Sequence, residues 1–324
     1  MEYRKLGKTG LKVSPLCMGT MQFGWSVNEA DTHSILSATV DAGINFIDTA
    51  DIYSKWVEGN AGGVSETYIG NWMKQNKIPR DQIVLATKVR GEMGKGPNDQ
   101  GLSRFHIMKA VDDSLRRLQT DHIDLYQAHW TDDDTPIEET LRAFDDLVKR
   151  GKVRYVGASN YAAWELTQAL WTSDKNNLAR FDCIQPYYNL LHRDEFEREL
   201  RAVCAAYEIA VIPYSPLAGG FLTGKYRKNL PLPESKRAEG RKHDMTDKNL
   251  ALIDEMEVIA LRHQATISQV ALAWMLSDSV ITSPIIGATS IAQLNENLGA
   301  LNVKLNEDEI ALLNKMTAWK EDEE

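Results

Sequence analysis

Residues 123–159, IDLYQAHWTDDDTPIEETLRAFDDLVKRGKVRYVGAS, decide the fold class of this chain. Two short apolar runs, 123–129 and 153–159, are typical of buried strands. Between them, Pro136 marks the first turn of an amphipathic helix, and Gly151 follows its end. A strand, a helix and a second strand in this order predict two parallel strands joined by a right-handed crossover.

The same unit recurs along the chain. Eight short apolar runs predict strands, and amphipathic patterns separate them. The predicted strands are 16–19, 45–48, 83–88, 123–129, 153–159, 183–187, 210–214 and 282–286; the clearest helices are 106–118, opened by Ser103, then 137–150, 195–207 and 248–263. Eight such units favour an α/β fold of the (β/α)8 class, the TIM barrel. An open doubly wound sheet is the alternative, less favoured because no GxGxxG turn follows the first strand.

Three segments fall outside the eight units. Residues 3–16 predict a β-hairpin with its turn at 8–10, placed to cap the bottom of the barrel. Residues 215–245 form a long loop rich in Gly, Pro, Lys and Arg, and loops of this length are usually functional or disordered. Residues 306–319 predict an extra C-terminal helix. Because no linker interrupts the pattern, we expect a single domain over residues 1–324.

Composition narrows the range of functions. The chain has 324 residues, 43% apolar and 26% charged, with a net charge of −9, which is typical of a soluble globular protein. It has no basic stripe for nucleic acid, and no run of about 18 apolar residues that would span a membrane. The three cysteines, Cys17, Cys183 and Cys204, fit buried residues in a reducing cytosol better than a disulfide framework. We therefore expect a cytoplasmic protein without nucleic-acid or membrane partners.

Four polar residues lie at the ends of three consecutive predicted strands: Asp48, Tyr53, Lys88 and His129. Each alone has a simpler explanation, as a cap, a solvated side chain or a core residue. Their common placement favours chemistry, because function sits at the C-terminal ends of barrel strands. We expect Lys88 to lower the pKa of the Tyr53 phenol and Asp48 to hold the ammonium, while His129 orients a substrate oxygen. The set predicts proton transfer to a carbonyl oxygen.

Several motifs resemble the aldo-keto reductase superfamily. They are DAGINFIDTADIYS (41–54), IVLATK (83–88), IDLYQAH (123–129), GKVRYVGASN (151–160), IPYSPLAGGFLTGK (212–225) and IIGATSIAQLNENLGA (285–300). The likeness covers nearly the whole chain and is greatest to aryl-alcohol dehydrogenase-like enzymes and potassium channel β subunits. It implies a catalytic tetrad of Asp48, Tyr53, Lys88 and His129. It also implies an NADP-dependent oxidoreductase that reversibly reduces aldehydes or ketones to alcohols, with tyrosine as the general acid.

The resemblance further implies a nicotinamide cofactor, NADP(H) in preference to NAD(H). Ser159, Asn160 and Gln185 correspond to carboxamide contacts, and Tyr214 corresponds to the ring that stacks on the nicotinamide. Arg237 is placed to contact a phosphate, which matters because GATSIAQLNEN lacks the Arg or Lys that many relatives place against the 2′-phosphate. The other implied cofactor contacts are Gly19, Thr20, Met21, Asp48, Ser215, Pro216, Leu217, Ala218, Gly219, Lys225, Gly287, Thr289, Gln293, Glu296 and Asn297.

The predicted substrate wall is aromatic. Trp25, Trp56, Trp130 and Tyr188 fall near the predicted catalytic face and suit an aryl or aliphatic carbonyl compound. No metal site is predicted, and the oligomeric state is left open. Two alternatives remain: a Schiff-base lyase that uses Lys88 as its nucleophile, and a regulatory subunit that senses a nucleotide without turnover.

Overall fold

The computed structural model describes residues 1–228, 230–234 and 236–319. In this part of the chain, two short strands form an antiparallel hairpin and eight parallel strands form a second sheet. The strands are β1 (Arg4–Lys5), β2 (Lys12–Val13), β3 (Cys17–Gly19), β4 (Phe46–Asp48), β5 (Val84–Val89), β6 (Ile123–Ala128), β7 (Val153–Ser159), β8 (Phe181–Gln185), β9 (Ala210–Val211) and β10 (Ile285–Gly287).

The parallel sheet closes into a barrel. Strands β3 to β9 pair in chain order, and β10 pairs with β3. Closure occurs beside β9, where Ile285 N donates to the Pro213 carbonyl oxygen at 2.8 Å. A parallel bridge there also joins Tyr214 to Ile285. The predicted (β/α)8 barrel is therefore confirmed.

Helices pack around the outside of the barrel, and most sequential helices contact one another. They are α1 (Glu29–Asp41), α2 (Val64–Gln75), α3 (Arg104–Leu118), α4 (Ile137–Lys149), α5 (Ala163–Asn176), α6 (Arg201–Tyr207), α7 (Asp247–Arg262), α8 (Ile267–Ser277), α9 (Ile291–Gly299) and α10 (Glu307–Met316). The Ser103 side chain caps α3 by accepting from His106 N. A capping box between Asn306 and Glu309 begins α10, the predicted C-terminal helix. Within the described ranges, no helix is long and apolar enough to cross a membrane.

The hairpin seals the end of the barrel opposite the polar strand ends. Its residues Leu6 and Val13 are fully buried in the barrel interior with Cys17, Phe46 and Leu125. This apolar contact explains why the hairpin stays in place, and the predicted cap is confirmed. All three cysteines are buried and unpaired.

Proline residues explain where the predicted strand ends were inaccurate. Strands β8 and β9 end at Gln185 and Val211, earlier than predicted. Pro186 and Pro213 follow closely after these ends. Proline has no N–H to continue a ladder of hydrogen bonds. The long loop at 215–245 also contains two short 3₁₀ segments, Ala218–Thr223 and Glu239–Asp244. Two of its residues, Asn229 and Ser235, lie outside the described residues.

Candidate active site

Lys88 is the centre of a buried hydrogen-bonded cluster at the C-terminal end of the strands. Its ammonium lies 2.5 Å from Asp48 Oδ2 and donates to the Thr49 carbonyl oxygen and the Tyr53 hydroxyl, both at 2.9 Å. Lys88 is fully buried. Burial by itself lowers the pKa of Lys88, but Asp48 and Tyr53 outweigh it, so the pKa is raised. The lysine is therefore a fixed cation beside the phenol.

The Asp48 carboxylate has donors at both oxygens. Lys88 occupies Oδ2, while Oδ1 accepts from Gln185 Nε2 at 2.9 Å and from Gln127 Nε2 at 3.1 Å. A buried charge needs such a complete set of partners to be tolerated. Sequence reasoning missed Gln127 in this role. The signal was available, because Gln127 lies two residues before His129 and the two share one face of an extended segment.

Tyr53 lies in the loop after β4, with 9% of its surface exposed. Burial raises the pKa of Tyr53; the Lys88 charge opposes this effect but does not overcome it. The expectation that Lys88 would bring the pKa below that of a free phenol is therefore wrong, because it left out the loss of water around the hydroxyl. Tyr53 accordingly retains its proton at neutral pH.

His129 lies one residue beyond β6, and its backbone N–H donates to the Val89 carbonyl oxygen at 2.9 Å. Its ring centroid is 5.9 Å from that of Tyr53. The imidazole also stacks on Trp130, with centroids 3.7 Å apart. His129 and Tyr53 therefore face a shared space, where both can reach one oxygen atom of a ligand.

The His129 ring is neutral. Burial first, and then the charges of Lys88 and Arg90, hold its pKa well below the usual value. Among the described residues, Nδ1 is buried without a hydrogen-bond partner. A buried lone pair without a partner costs less than a buried N–H without an acceptor, so we assign the proton of the neutral ring to Nε2.

Asp48, Tyr53 and His129 line a cavity of about 960 Å³, whereas Lys88 is buried behind its wall. Of the cofactor contacts implied by the resemblance, all line this cavity except Ala218, which is fully buried. The lining members of that set are Gly19, Thr20, Met21, Asp48, Ser159, Asn160, Gln185, Tyr214, Ser215, Pro216, Leu217, Gly219, Lys225, Arg237, Gly287, Thr289, Gln293, Glu296 and Asn297. One contiguous space thus joins the Tyr53 hydroxyl to the start of α9.

A polar network fixes the part of the cavity next to His129. Tyr214 donates from its hydroxyl to Asn160 Oδ1 at 3.0 Å, and Asn160 Nδ2 donates to the His129 carbonyl oxygen at 3.0 Å. The Tyr214 ring stacks on Tyr187, with centroids 5.2 Å apart. A flat ring held in this way can support a planar heterocycle on its free face.

The loop after β9 supplies backbone and cations to the middle of the cavity. Gly219 and Gly220 have φ values of 64° and 98°, and a Cβ on Gly220 would lie 3.2 Å from Lys225 Nζ. Burial and the charge of Arg237 lower the pKa of Lys225. Burial and the charge of Arg241 lower the pKa of Arg237. Crowded, partly buried cations of this kind suit an anionic ligand.

At the far end of the cavity, polar groups at the start of α9 are hydrogen-bonded to one another. The N-cap Ser290 accepts from Gln293 N, while Thr289 donates from N and Oγ1 to Gln293 Oε1 at 3.0 and 3.1 Å. Around Gly287, the position of an added Cβ has no neighbour within 4 Å, so a ligand has space there. Taken together, the cavity fits a dinucleotide, with cations in its middle and a helix N-terminus at its end.

The side chains of Lys236 and Arg237 reach from the loop after β9 to the loop after β3. Lys236 Nζ donates to the Trp25 carbonyl oxygen at 2.6 Å, and the Arg237 guanidinium carbon lies 5.5 Å from the centre of the Trp25 ring. With the Gln22 amide oxygen turned toward it, Arg237 Nε donates to Gln22 at 3.1 Å. Gln22 and Lys236 were missed, since no local pattern marks residues that meet only in three dimensions.

Two of the four predicted substrate residues line the cavity. Trp56 and Trp130 are 49% and 38% exposed at its wall. Trp25 supports the wall from behind, edge-on to Trp56 at 5.8 Å. The prediction for Tyr188 is corrected, because that ring is 2% exposed, donates from its hydroxyl to Glu197 at 2.7 Å and lies outside the cavity. Adjacent tyrosines point to opposite sides, and the sequence does not say which one faces inward.

Comparison with known proteins agrees with this architecture. The family model described as "Aldo/keto reductase family" matches residues 15–318. "Uncharacterized oxidoreductase YrpG" of Bacillus subtilis (strain 168) is 39% identical, covering 97% of this chain and 95% of that protein. The "Probable voltage-gated potassium channel subunit beta" of Arabidopsis thaliana is 36% identical, covering 94% and 92%. The "Versiconal hemiacetal acetate reductase" of Aspergillus parasiticus is 36% identical, covering 97% and 96%.

The chain belongs to the aldo/keto reductase family. The family and the relatives named as oxidoreductases support carbonyl reduction in general, and aldo-keto reductases generally use nicotinamide cofactors, which agrees with the chemistry of the cavity. In the described part of the chain, no cluster of His, Cys, Asp and Glu could hold a metal ion.

Proposed function

We propose that this protein is an NADP(H)-dependent aldo-keto reductase that reversibly converts aldehydes or ketones to alcohols. The observation that carries the proposal is the Tyr53 hydroxyl, which accepts a 2.9 Å hydrogen bond from the fixed ammonium of Lys88. Tyr53 lies at the wall of a cavity that His129 also lines, and the buried Lys88 supports the phenol from behind that wall. A protonated phenol, a cation to stabilise its anion and a second donor suit proton delivery to a carbonyl oxygen.

The cofactor would lie along the cavity. Tyr214 would support the nicotinamide, Lys225 and Arg237 would bind phosphates, and Gln293 and Asn297 would contact the adenosine. When bound, the nicotinamide supplies the hydride that reduces the carbonyl carbon.

The protein's own residues manage the proton. Tyr53 donates its hydroxyl proton to the carbonyl oxygen as negative charge develops there. Lys88 then stabilises the resulting phenolate, and Asp48 keeps Lys88 in place without competing for the proton. His129 donates from Nε2–H to the same oxygen, which orients the carbonyl group. In the reverse direction, the phenolate accepts the proton from an alcohol.

We propose that the phosphate contacts favour NADP(H) over NAD(H). Arg237 offers a guanidinium, and Thr289 and Gln293 offer neutral hydrogen-bonding groups at the start of α9. Charge-assisted bonds to phosphate are roughly twice as strong as neutral ones, so Arg237 should dominate the discrimination. The substrate is a small aryl or aliphatic carbonyl compound, because Trp56, Trp130 and the half-buried Ile52 form an apolar wall.

The alternatives have less support. A Schiff-base lyase needs a neutral, accessible lysine, whereas Lys88 is buried, has a raised pKa and makes three hydrogen bonds. A purely regulatory subunit does not need a complete proton-donating tetrad. The unpaired, buried cysteines support a cytoplasmic location.

The direct test is a screen of aromatic and aliphatic aldehydes and ketones against NADPH and NADH, followed by the nicotinamide absorbance. We expect turnover of aldehydes with NADPH and slower turnover with NADH. Tight nucleotide binding without turnover of any carbonyl compound would instead support the regulatory role.

A further inference from the structure

We propose that Arg90 is a positioning residue that holds residues 129–131 against the end of β5, so that His129 and Trp130 face the substrate correctly. This inference rests on the proposed function, because the proposed reaction gives His129 its role. Arg90 does not line the cavity, so it acts through its neighbours and not by touching substrate.

The backbone of Arg90 is strained. Its φ is 130°, whereas every other non-glycine residue with positive φ in the described ranges lies between 48° and 65°. Those values belong to the left-handed helical region, which L-residues visit at modest cost. A φ of 130° lies in a region that is mainly adopted by glycine, and it persists only where the surroundings enforce it. Such strain in a residue two positions after Lys88 indicates that the arginine side chain is needed there.

Contacts on both sides of Arg90 show what the strained geometry achieves. Its Nε donates to the Thr131 carbonyl oxygen at 3.1 Å, and its own carbonyl oxygen accepts from Gly101 N at 3.1 Å. One residue earlier, the Val89 carbonyl oxygen accepts from His129 N at 2.9 Å. The guanidinium thereby extends the pairing of β5 and β6 beyond the ends of both strands.

Holding Thr131 in place also holds the two aromatic residues that precede it, His129 and Trp130. Trp130 lies between Thr131 and His129, and its ring stacks on the imidazole at 3.7 Å. The groups that face His129 are the Tyr53 phenol from the loop after β4, Lys88 from β5, Arg90 and the Trp130 ring. After burial and Lys88, the charge of Arg90 is a further cause of the low pKa of His129. The carboxylate of Asp132, in the same loop, accepts from Leu102 N at 2.6 Å.

Four variants separate the parts played by Arg90. Arg90→Ala removes the guanidinium and keeps the backbone strain, and Arg90→Gly removes both. Arg90→Lys keeps the charge and the strain but loses the guanidinium. Lys95→Ala is the matched control, since it deletes an exposed cation from the same loop. For each variant we would measure kcat and KM for an aldehyde, the Kd of NADPH, the thermal midpoint and the His129 pKa by NMR titration of the imidazole.

The expected pattern differs from that of a merely structural residue. In Arg90→Ala and Arg90→Gly, kcat falls about ten- to a hundredfold, as expected for misplaced catalytic groups, while the Kd of NADPH is unchanged. Arg90→Gly melts at a higher temperature than Arg90→Ala, the reverse of the usual order. The His129 pKa rises in both variants but stays low in Arg90→Lys, which nevertheless loses part of kcat. The Lys95→Ala control behaves like wild type.

The proposal is overturned if Arg90→Ala retains the wild-type kcat and the wild-type His129 pKa, even if it melts earlier. A wild-type protein without turnover would refute the proposed function separately. In that case the His129 titration and the alanine–glycine comparison still decide the role of Arg90, because neither requires turnover.

Discussion

The two halves of the cavity differ in how their charges are balanced. At the ends of β4, β5 and β6, the central charges already have protein partners, with Asp48 bonded to Lys88, Gln127 and Gln185. In the loop after β9, the like charges of Lys225 and Arg237 lie close to one another, and Arg237 also contacts Gln22 and Trp25. The first half is organised before any ligand arrives, while the second has cations suited to a ligand's charges. Substitutions in the two halves should therefore fail in different ways.

The largest effect is expected from Tyr53→Phe. Without the hydroxyl no positioned acid remains, so kcat for aldehyde reduction should fall by about 10²–10⁴, while the Kd of NADPH stays near the wild-type value. Steady-state rates and cofactor titration check both parts. Tyr126→Phe is the control, since it deletes another buried phenol hydroxyl from β6, outside the cavity. Equal losses in both variants would remove the special role of Tyr53.

Lys88→Met tests whether the first half is held together by its own charges. It should reduce kcat nearly as much as Tyr53→Phe and also leave Asp48 as an unpaired buried charge. Removing one partner of a buried pair costs about 3–5 kcal/mol, which urea unfolding would detect. Adding Asp48→Asn should recover much of the stability but not the activity. If stability and activity recover together, the two functions of Lys88 are not separable.

Substitutions in the second half should affect binding and leave stability nearly unchanged. Arg237→Ala should weaken NADPH binding about tenfold and NADH binding much less, because a charge-assisted phosphate contact is lost. Gln293→Arg should increase the preference for NADPH, since a guanidinium binds phosphate with two donors. Dissociation constants for both cofactors measure this. A matching loss for NADH and NADPH in Arg237→Ala would place that residue away from the 2′-phosphate.

Asp51 lies close to the organised half, outside the cavity lining, and lacks such partners in the described part of the chain. It is fully buried, and neither carboxylate oxygen has a hydrogen-bond partner among the described residues. Burial, reinforced by the nearby charge of Glu66, raises its pKa well above the usual value. The folded protein therefore keeps a proton that the unfolded chain releases above about pH 4, so stability is lost as pH rises beyond that value.

Asp51→Asn should consequently stabilise the protein by about 1 kcal/mol, with a larger gain at pH 8 than at pH 5. Thermal unfolding at the two pH values, with the exposed Glu58→Gln as control, measures the gain. A variant that is less stable than wild type at the higher pH would show that Asp51 is ionised and paired.

The smallest effect is expected on the pH dependence of reduction. Because burial raises the pKa of Tyr53 and lowers that of His129, neither group changes its charge between about pH 7 and pH 9. Reduction should be flat over this range when chemistry is rate-limiting. Alcohol oxidation should increase, because it uses the small phenolate fraction, which grows with pH while the phenol stays the main species. A fall in reduction with a midpoint below about pH 9 would show that Lys88 outweighs burial.

Much of the fold could be predicted because each strand–helix unit carries local signals. The strand at Val153–Ser159 agrees with the prediction, since Gly151 ends the preceding helix and a long apolar run follows. The placement of Lys88 and His129 followed from the rule that barrel strands direct their C-terminal ends to one face.

Other features depend on contacts that the sequence does not display. Asp48 and Asp51 are three residues apart and both buried. The Asp48 carboxylate accepts hydrogen bonds at both oxygens, whereas the Asp51 carboxylate has no hydrogen-bond partner among the described residues. The difference arises from β5, β6 and β8, which bring partners to Asp48 alone. The stacking of Tyr187, and not Tyr188, on the Tyr214 ring and the strained φ of Arg90 likewise follow only from the paired strands.

A transfer experiment with an aldehyde and NADPH that carries deuterium at both C4 positions follows the hydride from cofactor to product. We expect the wild-type protein to place one deuterium on the alcohol carbon and to take the hydroxyl proton from solvent, and we expect Tyr53→Phe to slow the transfer by about 10² or more. The proposed mechanism would be contradicted by an alcohol without deuterium, or by an aldehyde adduct on Lys88 that borohydride traps.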